Sequence, residues 1–164
     1  MKNCSDKILP LNEAINVRAE WKNNNEKVVF TNGCFDILHL GHVDYLEKAR
    51  NTGTRMIVGL NTDKSVKKLK GPERPINNEY ARARLLAALA FVDAVVLFEE
   101  DTPLQLIKQL QPDILIKGND YSIESIVGAK EVIANGGQVK TIELVPDYST
   151  TKILERLETR DHNP

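Results

Sequence analysis

Apolar residues in this chain fall into short runs rich in β-branched side chains, and between the runs they recur at helical spacing. Residues 28–31 (VVFT), 56–60 (MIVGL), 94–98 (AVVLF) and 114–116 (ILI) read as apolar strands, and 139–144 reads as a fifth strand. Helices are expected over 11–23, 41–52, 78–90, 103–110, 123–135 and 150–157. In the second of these, Val43, Leu46 and Ala49 share one face, and Gly53 supplies the stop. Pro103 stands in a first helical turn, where its missing N–H is not needed. The stretch from Asn61 through the lysines to Gly71-Pro72 is read as a loop.

Strand and helix alternate throughout, which argues for the α/β class: a doubly wound parallel five-stranded sheet with helices on both faces. Residues 1–25 are read as an N-terminal helical extension and 26–164 as the domain proper. Ligands of such sheets bind beyond the carboxyl ends of the strands, where strand order reverses. The loops after Thr31, Leu60 and Lys117 should therefore face one crevice, and those loops hold the polar peculiarities of the sequence.

Composition narrows the partners. With 22 basic and 23 acidic residues in 164, the formal net charge is −1, so no overall positive field exists to hold a long nucleic acid. Lys67, Lys68 and Lys70 form a local basic cluster, better suited to a small polyphosphate. No run approaches the roughly 20 apolar residues of a membrane span, and the N-terminus lacks the apolar core of a signal peptide. Cys4 and Cys34 are the two cysteines and do not suggest a disulfide framework. A reduced, cytoplasmic protein without membrane or nucleic-acid partners is expected.

The loop after the first strand reads TNGCFDILHLGH from Thr31 to His42. Gly33 allows a ligand to approach the backbone without a Cβ in the way. Gly41 stands just before a helix, whose N-terminus attracts anions through its unpaired N–H groups. His39 and His42, three apart at that point, are spaced to donate to the same phosphate chain. Two unrelated surface histidines and a turn-capping Asp36 are the bland alternative. A zinc site would need a third ligand, which the segment does not offer.

The run from Gly33-Cys34-Phe35-Asp36 to His39-Leu40-Gly41-His42 resembles the G-x-F-D-x-x-H-x-G-H signature of cytidylyltransferase-like nucleotidyltransferases. The resemblance implies a Rossmann-like domain that binds a triphosphate between these histidines and a C-terminal Ser-Thr-Thr helix. That second element appears as Tyr148-Ser149-Thr150-Thr151 before Lys152, more than a hundred residues later. By itself it is a helix start with a hydroxyl cap and spare N–H groups. Within the resemblance it holds the β- and γ-phosphates.

By the same resemblance Lys70, or failing it Lys68, closes over the phosphates, and Arg82 meets the phosphate of the second substrate, work that suits a guanidinium fork. Lys117-Gly118-Asn119-Asp120-Tyr121, at a strand end, combines a cation with hydrogen-bonding groups, although Gly-Asn-Asp is also ordinary turn chemistry. The expected catalytic residues are thus His39, His42 and Lys70. Nucleotide binding is expected from Thr31, Asn32, Gly33, Cys34, Phe35, Gly41, Lys68, Asn119, Tyr148, Ser149, Thr150 and Thr151. Asp36, Asp63, Arg82, Lys117 and Asp120 are expected at the second substrate. Mg²⁺ is expected to arrive with the triphosphate; Asp36 is a candidate to hold it or a substrate hydroxyl.

Thr31–His39 together with Leu69-Lys70-Gly71, Arg74-Pro75, 98–103 (FEEDTP), Glu131-Val132 and Asn135-Gly136-Gly137 resemble one subfamily, the adenylyltransferase module of ADP-heptose synthase. The likeness covers residues 26 to 157. It implies ATP and a heptose 1-phosphate as substrates, a homodimer, and a stand-alone form of a module that many relatives carry behind a sugar kinase. Asn119 and Tyr148 depart from the subfamily pattern, which usually has Gly and Cys there. A cytidylyltransferase acting on glycerol 3-phosphate or another polyol phosphate is the rival within the class. A non-catalytic nucleotide-binding module and a flavodoxin-like redox domain are the rivals outside it.

Overall fold

The structure is a computed structural model that describes residues 3–160. Five strands form one parallel sheet: β1 (Val28–Gly33), β2 (Arg55–Asn61), β3 (Ala94–Phe98), β4 (Ile114–Gly118) and β5 (Gln138–Ile142), in the order β3-β2-β1-β4-β5. The helices are α1 (Leu11–Asn23), α2 (Leu40–Arg50), α3 (Asp63–Lys70), α4 (Glu79–Ala88), α5 (Leu104–Leu110), α6 (Ala129–Ala134) and α7 (Thr150–Arg160). The α/β, doubly wound, five-stranded parallel architecture expected from the alternation is what the chain adopts.

Each strand sends alternate side chains to opposite faces, and both faces are covered. Val29, Met56, Val58, Leu60, Val95, Ile114 and Ile116 pack with Tyr45, Leu46 and Ala49 of α2 and Ala83, Leu86 and Ala87 of α4. Val28, Phe30, Ile57, Val96, Phe98 and Leu115 pack with Ala14 of α1, Leu106, Ile107 and Leu110 of α5, and Val132 of α6.

The amino ends of the strands are pinned by carboxylates. Asp113 accepts from the Val28 N–H (2.8 Å) and Asp93 from the Met56 N–H (2.8 Å). Arg18 binds Asp113 at 3.1 Å; Arg50 and Arg55 bind Asp93 at 3.0 and 3.2 Å, and Arg55 also reaches Glu26 at 2.9 Å. The two edges of the sheet differ. Along β3, Ile8 pairs in parallel with Val95, the Leu9 N–H donates to the Val95 carbonyl (2.9 Å), and Lys7 reaches the Leu89 carbonyl (3.1 Å). At β5, Gln138 and Lys140 are exposed.

Two expectations need correction. The segment after β2, read as a loop, contains the helix α3. Thr62 caps it by accepting from the Ser65 N–H (3.3 Å), Val66 is its buried apolar anchor, and Lys64 and Lys68 reach Glu99 (2.6 Å) and Asp101 (2.5 Å). The expected helix over 123–135 is interrupted: a 3-10 turn at Ile123–Ser125 precedes α6. Gly128 makes the break at φ 87°, with a position for Cβ only 2.6 Å from Ile107 Cδ1, so no other residue fits comfortably.

Candidate active site

After β1 the chain winds toward β2 and β3 on one side; β4 and β5 lie on the other. The strand order therefore reverses between β1 and β4, and beyond their carboxyl ends opens a cavity of about 400 Å³. The first wall is the loop from β1 to α2. Phe35 takes φ 44° and turns its ring back under Gly33, where a Cβ would lie 3.0 Å from the ring. That ring meets His42 edge-on, centroids 5.1 Å apart. His39, in extended conformation, stands at the N-cap of α2 without capping it. Its imidazole stacks on that of His42 at 3.8 Å and 21°.

Both imidazoles keep a buried Nδ1 without a hydrogen-bond partner. Burial, then the neighbouring His39 and Lys70, push the His42 pKa down to about 4, against a small opposing effect from the Ile37 backbone. Burial also lowers that of His39. At neutral pH the pair is uncharged and packed, with polar nitrogens awaiting an acceptor or a negative charge.

The opposite wall comes from the far end of the chain. Tyr148, Ser149, Thr150 and Thr151 line the same cavity as His39 and His42. Ser149 Oγ accepts from the Lys152 N–H (3.2 Å), so the hydroxyl does cap α7. The join between the two motifs is Gly41: a Cβ there would sit 3.1 Å from the His39 ring and 3.1 Å from the Tyr148 carbonyl oxygen. A residue with a side chain would wedge the motifs apart.

The floor is the end of β4. Lys117 donates from Nζ to the Asn32 carbonyl (3.2 Å) and lies 5.9 Å from the centre of the Tyr121 ring. Burial pulls its pKa down to about 8, with Asp120 and Cys34 acting in the opposite direction. Beneath it, the Tyr45 hydroxyl links Thr31 Oγ1 (2.7 Å) to the Ile116 carbonyl (3.2 Å), tying α2 to both central strands. Asn32 Oδ1 is buried in this region with no partner.

Of the residues expected from sequence, the structure brings Asn32, Gly33, Cys34, Phe35, Asp36, His39, Gly41, His42, Lys70, Lys117, Asp120, Tyr148, Ser149, Thr150 and Thr151 to this cavity. Others it places elsewhere. Thr31 is fully buried and its hydroxyl is taken by Tyr45. Lys68 is exposed and paired with Asp101. Asn119 is exposed and absent from the lining; it anchors the loop through its N–H to the Ile142 carbonyl (2.9 Å).

Arg82, expected at a substrate phosphate, is 0% exposed. Its three guanidinium nitrogens bind Asn77 O (3.0 Å), Cys34 O (2.6 Å), Asn61 O (2.8 Å) and Asp63 Oδ1 (2.7 Å). Asp63, in turn, is committed to Arg82 and lies outside the cavity lining. Both are braces behind the site rather than ligands. Asp36 borders the cavity, yet its oxygens accept from Arg74 Nε (2.6 Å) and the Ile76 and Asn77 N–H groups (2.7 and 3.1 Å). This carboxylate latches the segment after Lys70 in place and is not available to a cation or a sugar hydroxyl.

Sequence reasoning missed Leu144, Val145 and Tyr45, which also line the cavity. Leu144 and Val145 carry no polar signal, and Tyr45 reads as the core face of α2. Among the described residues no group of three His, Cys, Asp or Glu side chains is placed to hold a metal ion. The donors here are imidazole, ammonium, hydroxyl and N–H, a set that complements a polyanion.

Comparison with known proteins agrees with this geometry. A model of the cytidylyltransferase-like family matches residues 30–156. The chain is 58% identical over 153 residues to the bifunctional protein HldE of Magnetococcus marinus, and 52% identical over 153 residues to that of Methylobacillus flagellatus. Each match covers 93% of this chain and 31% of the relative, so the chain spans about a third of the length of the curated relatives it matches. Among solved structures, a lipopolysaccharide core biosynthesis protein from Thermoplasma volcanium superposes with a TM-score of 0.59 at 29% identity, over 76% of this chain and 99% of that one. Pantothenate synthetase from Thermus thermophilus superposes with a TM-score of 0.66 at 16% identity, over 94% and 70%, a likeness of fold.

Proposed function

The chain belongs to the cytidylyltransferase-like family, and on that premise we propose that it is a nucleotidyltransferase that adenylylates D-glycero-β-D-manno-heptose 1-phosphate with ATP, giving ADP-heptose and pyrophosphate. The observation that carries the reading is the contact at Gly41, which sets the two histidines and the Ser149–Thr151 turn against one cavity. ATP and heptose are supported by the subfamily residues from Thr31 to Gly137 and by identity above one half to the HldE proteins.

The chemistry asks little of the protein beyond placement and charge. An oxygen of the sugar phosphate, whose second pKa is near ~6, is already anionic at neutral pH and needs no general base. It forms a bond to the α-phosphorus of ATP while the bond from that phosphorus to the β-bridging oxygen breaks. The electron pair leaves with pyrophosphate. Lys70 offsets the charge that gathers on the triphosphate, His39 and His42 donate to it through imidazole N–H groups, and the Ser149–Thr151 hydroxyls and N–H groups hold its far end. Mg²⁺ belongs to this scheme as part of the substrate, MgATP, keeping most of its waters. With ATP as substrate the working compartment is the cytoplasm. The homodimer implied by the subfamily resemblance belongs to the same proposal.

Pyrophosphate release measured with ATP, CTP and GTP against heptose 1-phosphate, other sugar 1-phosphates and glycerol 3-phosphate tests the proposal. ATP with the heptose should exceed every other pair by ~10-fold or more in kcat/KM. A preference for CTP with glycerol 3-phosphate would transfer the protein to the polyol branch; triphosphate binding without release for any pair would make it a non-catalytic module.

A further inference from the structure

A lysine offered to a triphosphate from the end of a helix helps only if that end is held still. Lys70 is the last residue of α3 and borders the cavity. Upstream, the helix buries Val66, but its ion pairs Lys64–Glu99 and Lys68–Asp101 lie in solvent, where such pairs hold little. Downstream comes Gly71, at φ 98° with open space where a Cβ would point, so the chain can pivot there. The hold begins at Arg74. Its N–H donates to the Gly71 carbonyl (3.2 Å) and its Nε to Asp36 Oδ2 (2.6 Å). Asp36 Oδ1 accepts from the Ile76 and Asn77 N–H groups (2.7 and 3.1 Å), and Asn77 Nδ2 donates back to the Asp36 carbonyl (2.9 Å). Asp36 itself is 1% exposed.

Resting on the nucleotidyltransferase reading, we infer that Asp36 is a positioning residue: through Arg74 and the Ile76 and Asn77 amides it fixes the turn that aims Lys70 at the triphosphate, and it touches neither substrate. A carboxylate is required because each of its oxygens meets a donor. An amide in either orientation would set its NH₂ group against one of them. Asp36 also matches the charge of Arg74, which is largely buried beside it. Behind the latch, Arg82 donates to the Asn77 carbonyl (3.0 Å) and the Cys34 carbonyl (2.6 Å), so one guanidinium fastens the chain on both sides of the carboxylate. The loop after β1 and the turn after α3 are thereby joined as one body, with Lys70 at its margin. A group misplaced by about 1 Å can cost ~10²-fold in rate, so a residue that only aims a lysine still governs turnover.

The test is a double-mutant cycle on kcat, with Asp36→Asn placed in the wild type and in Lys70→Met. In the wild type it should lower kcat by ~10-fold or more. In Lys70→Met it should lower kcat by less than about twofold, because the group it aims is gone. Arg74→Met should show the same dependence on Lys70 with a smaller loss, and Arg74→Lys, which keeps an ion pair, should recover part of it. Amide hydrogen exchange reads the latch directly: Ile76 and Asn77 should exchange faster in Asp36→Asn and at the wild-type rate in Lys70→Met. Melting temperatures identify any variant that has lost its fold, and the Arg74 variants run the same cycle if Asp36→Asn is one of them. Equal losses in both backgrounds overturn the inference, as does wild-type turnover in Asp36→Asn or in Lys70→Met. A loss relieved by raising Mg²⁺ would make the carboxylate a metal ligand and overturn it as well. Nucleotidyl transfer survives each of these outcomes, whereas failure of the wild type to release pyrophosphate with any pair would bring down the reading beneath it.

Discussion

The two ends of the sheet use similar residues to opposite purposes. At the amino ends, Asp93 and Asp113 each accept a strand N–H and each bind arginine. The charged groups there answer one another, and Arg18 alone keeps two buried nitrogens without partners, between α1 and the turn at Gln111–Asp113. At the carboxyl ends, His39 Nδ1, His42 Nδ1 and Asn32 Oδ1 are buried and unanswered on one cavity. Unmatched polar groups destabilise a fold. Those three belong to residues that line an open cavity where a ligand can reach them, whereas the Arg18 nitrogens lie within the packing of the amino end.

Substitutions at the two ends should separate catalysis from stability. The largest effect belongs to His42→Ala, which should lower turnover by ~10²-fold or more with the melting temperature nearly unchanged; wild-type turnover in that variant would erase the distinction between the ends. Asp93→Ala should do the reverse. It strips partners from Arg50, Arg55 and the Met56 N–H, and should cost about 2 kcal/mol in urea unfolding while kcat per folded molecule holds. The smallest effect is in the pH response. A histidine whose pKa falls on folding gives up stability as acid is added, so the ligand-free protein should weaken as pH drops from 6.5 toward about 4. A bound triphosphate raises the same pKa, so ATP affinity should rise over that window with net proton uptake, measured by calorimetry in buffers of differing ionisation heat. Proton uptake unaltered in His42→Ala would assign it to another group.

Much of the frame was legible because β1 to β4 alternate their side chains between two buried faces, and that pattern survives in a single sequence. The bounds of α1 and β3 match the expected 11–23 and 94–98. The helix α3 was hidden because four of its eight residues are lysine and one apolar side chain, Val66, is buried; its hold on the fold comes from Glu99 and Asp101, more than thirty residues away. Spacing and helix starts were enough to place His39, His42, Gly41 and the Ser149–Thr151 turn around one cavity. The protein partners of Arg82, Asp63 and Asp36 were not legible. Whether a charged side chain faces a cavity or a neighbour is decided by long-range packing, and the Arg82 acceptors Cys34, Asn61 and Asn77 come from the loop after β1, the end of β2 and the segment before α4.

The unequal edges of the sheet bear on how the chain behaves in company. Residues 8 and 9 lie along β3 like a selvedge, occupying the Val95 groups that a foreign strand would seek, whereas β5 relies on the exposed Lys140 to discourage such a visitor. Trimming the first nine residues would leave the cavity and its histidines in place, yet it would unhem one border. Crowded molecules of the shortened chain would then adhere to one another side by side, and activity would be lost to precipitation before any chemistry failed.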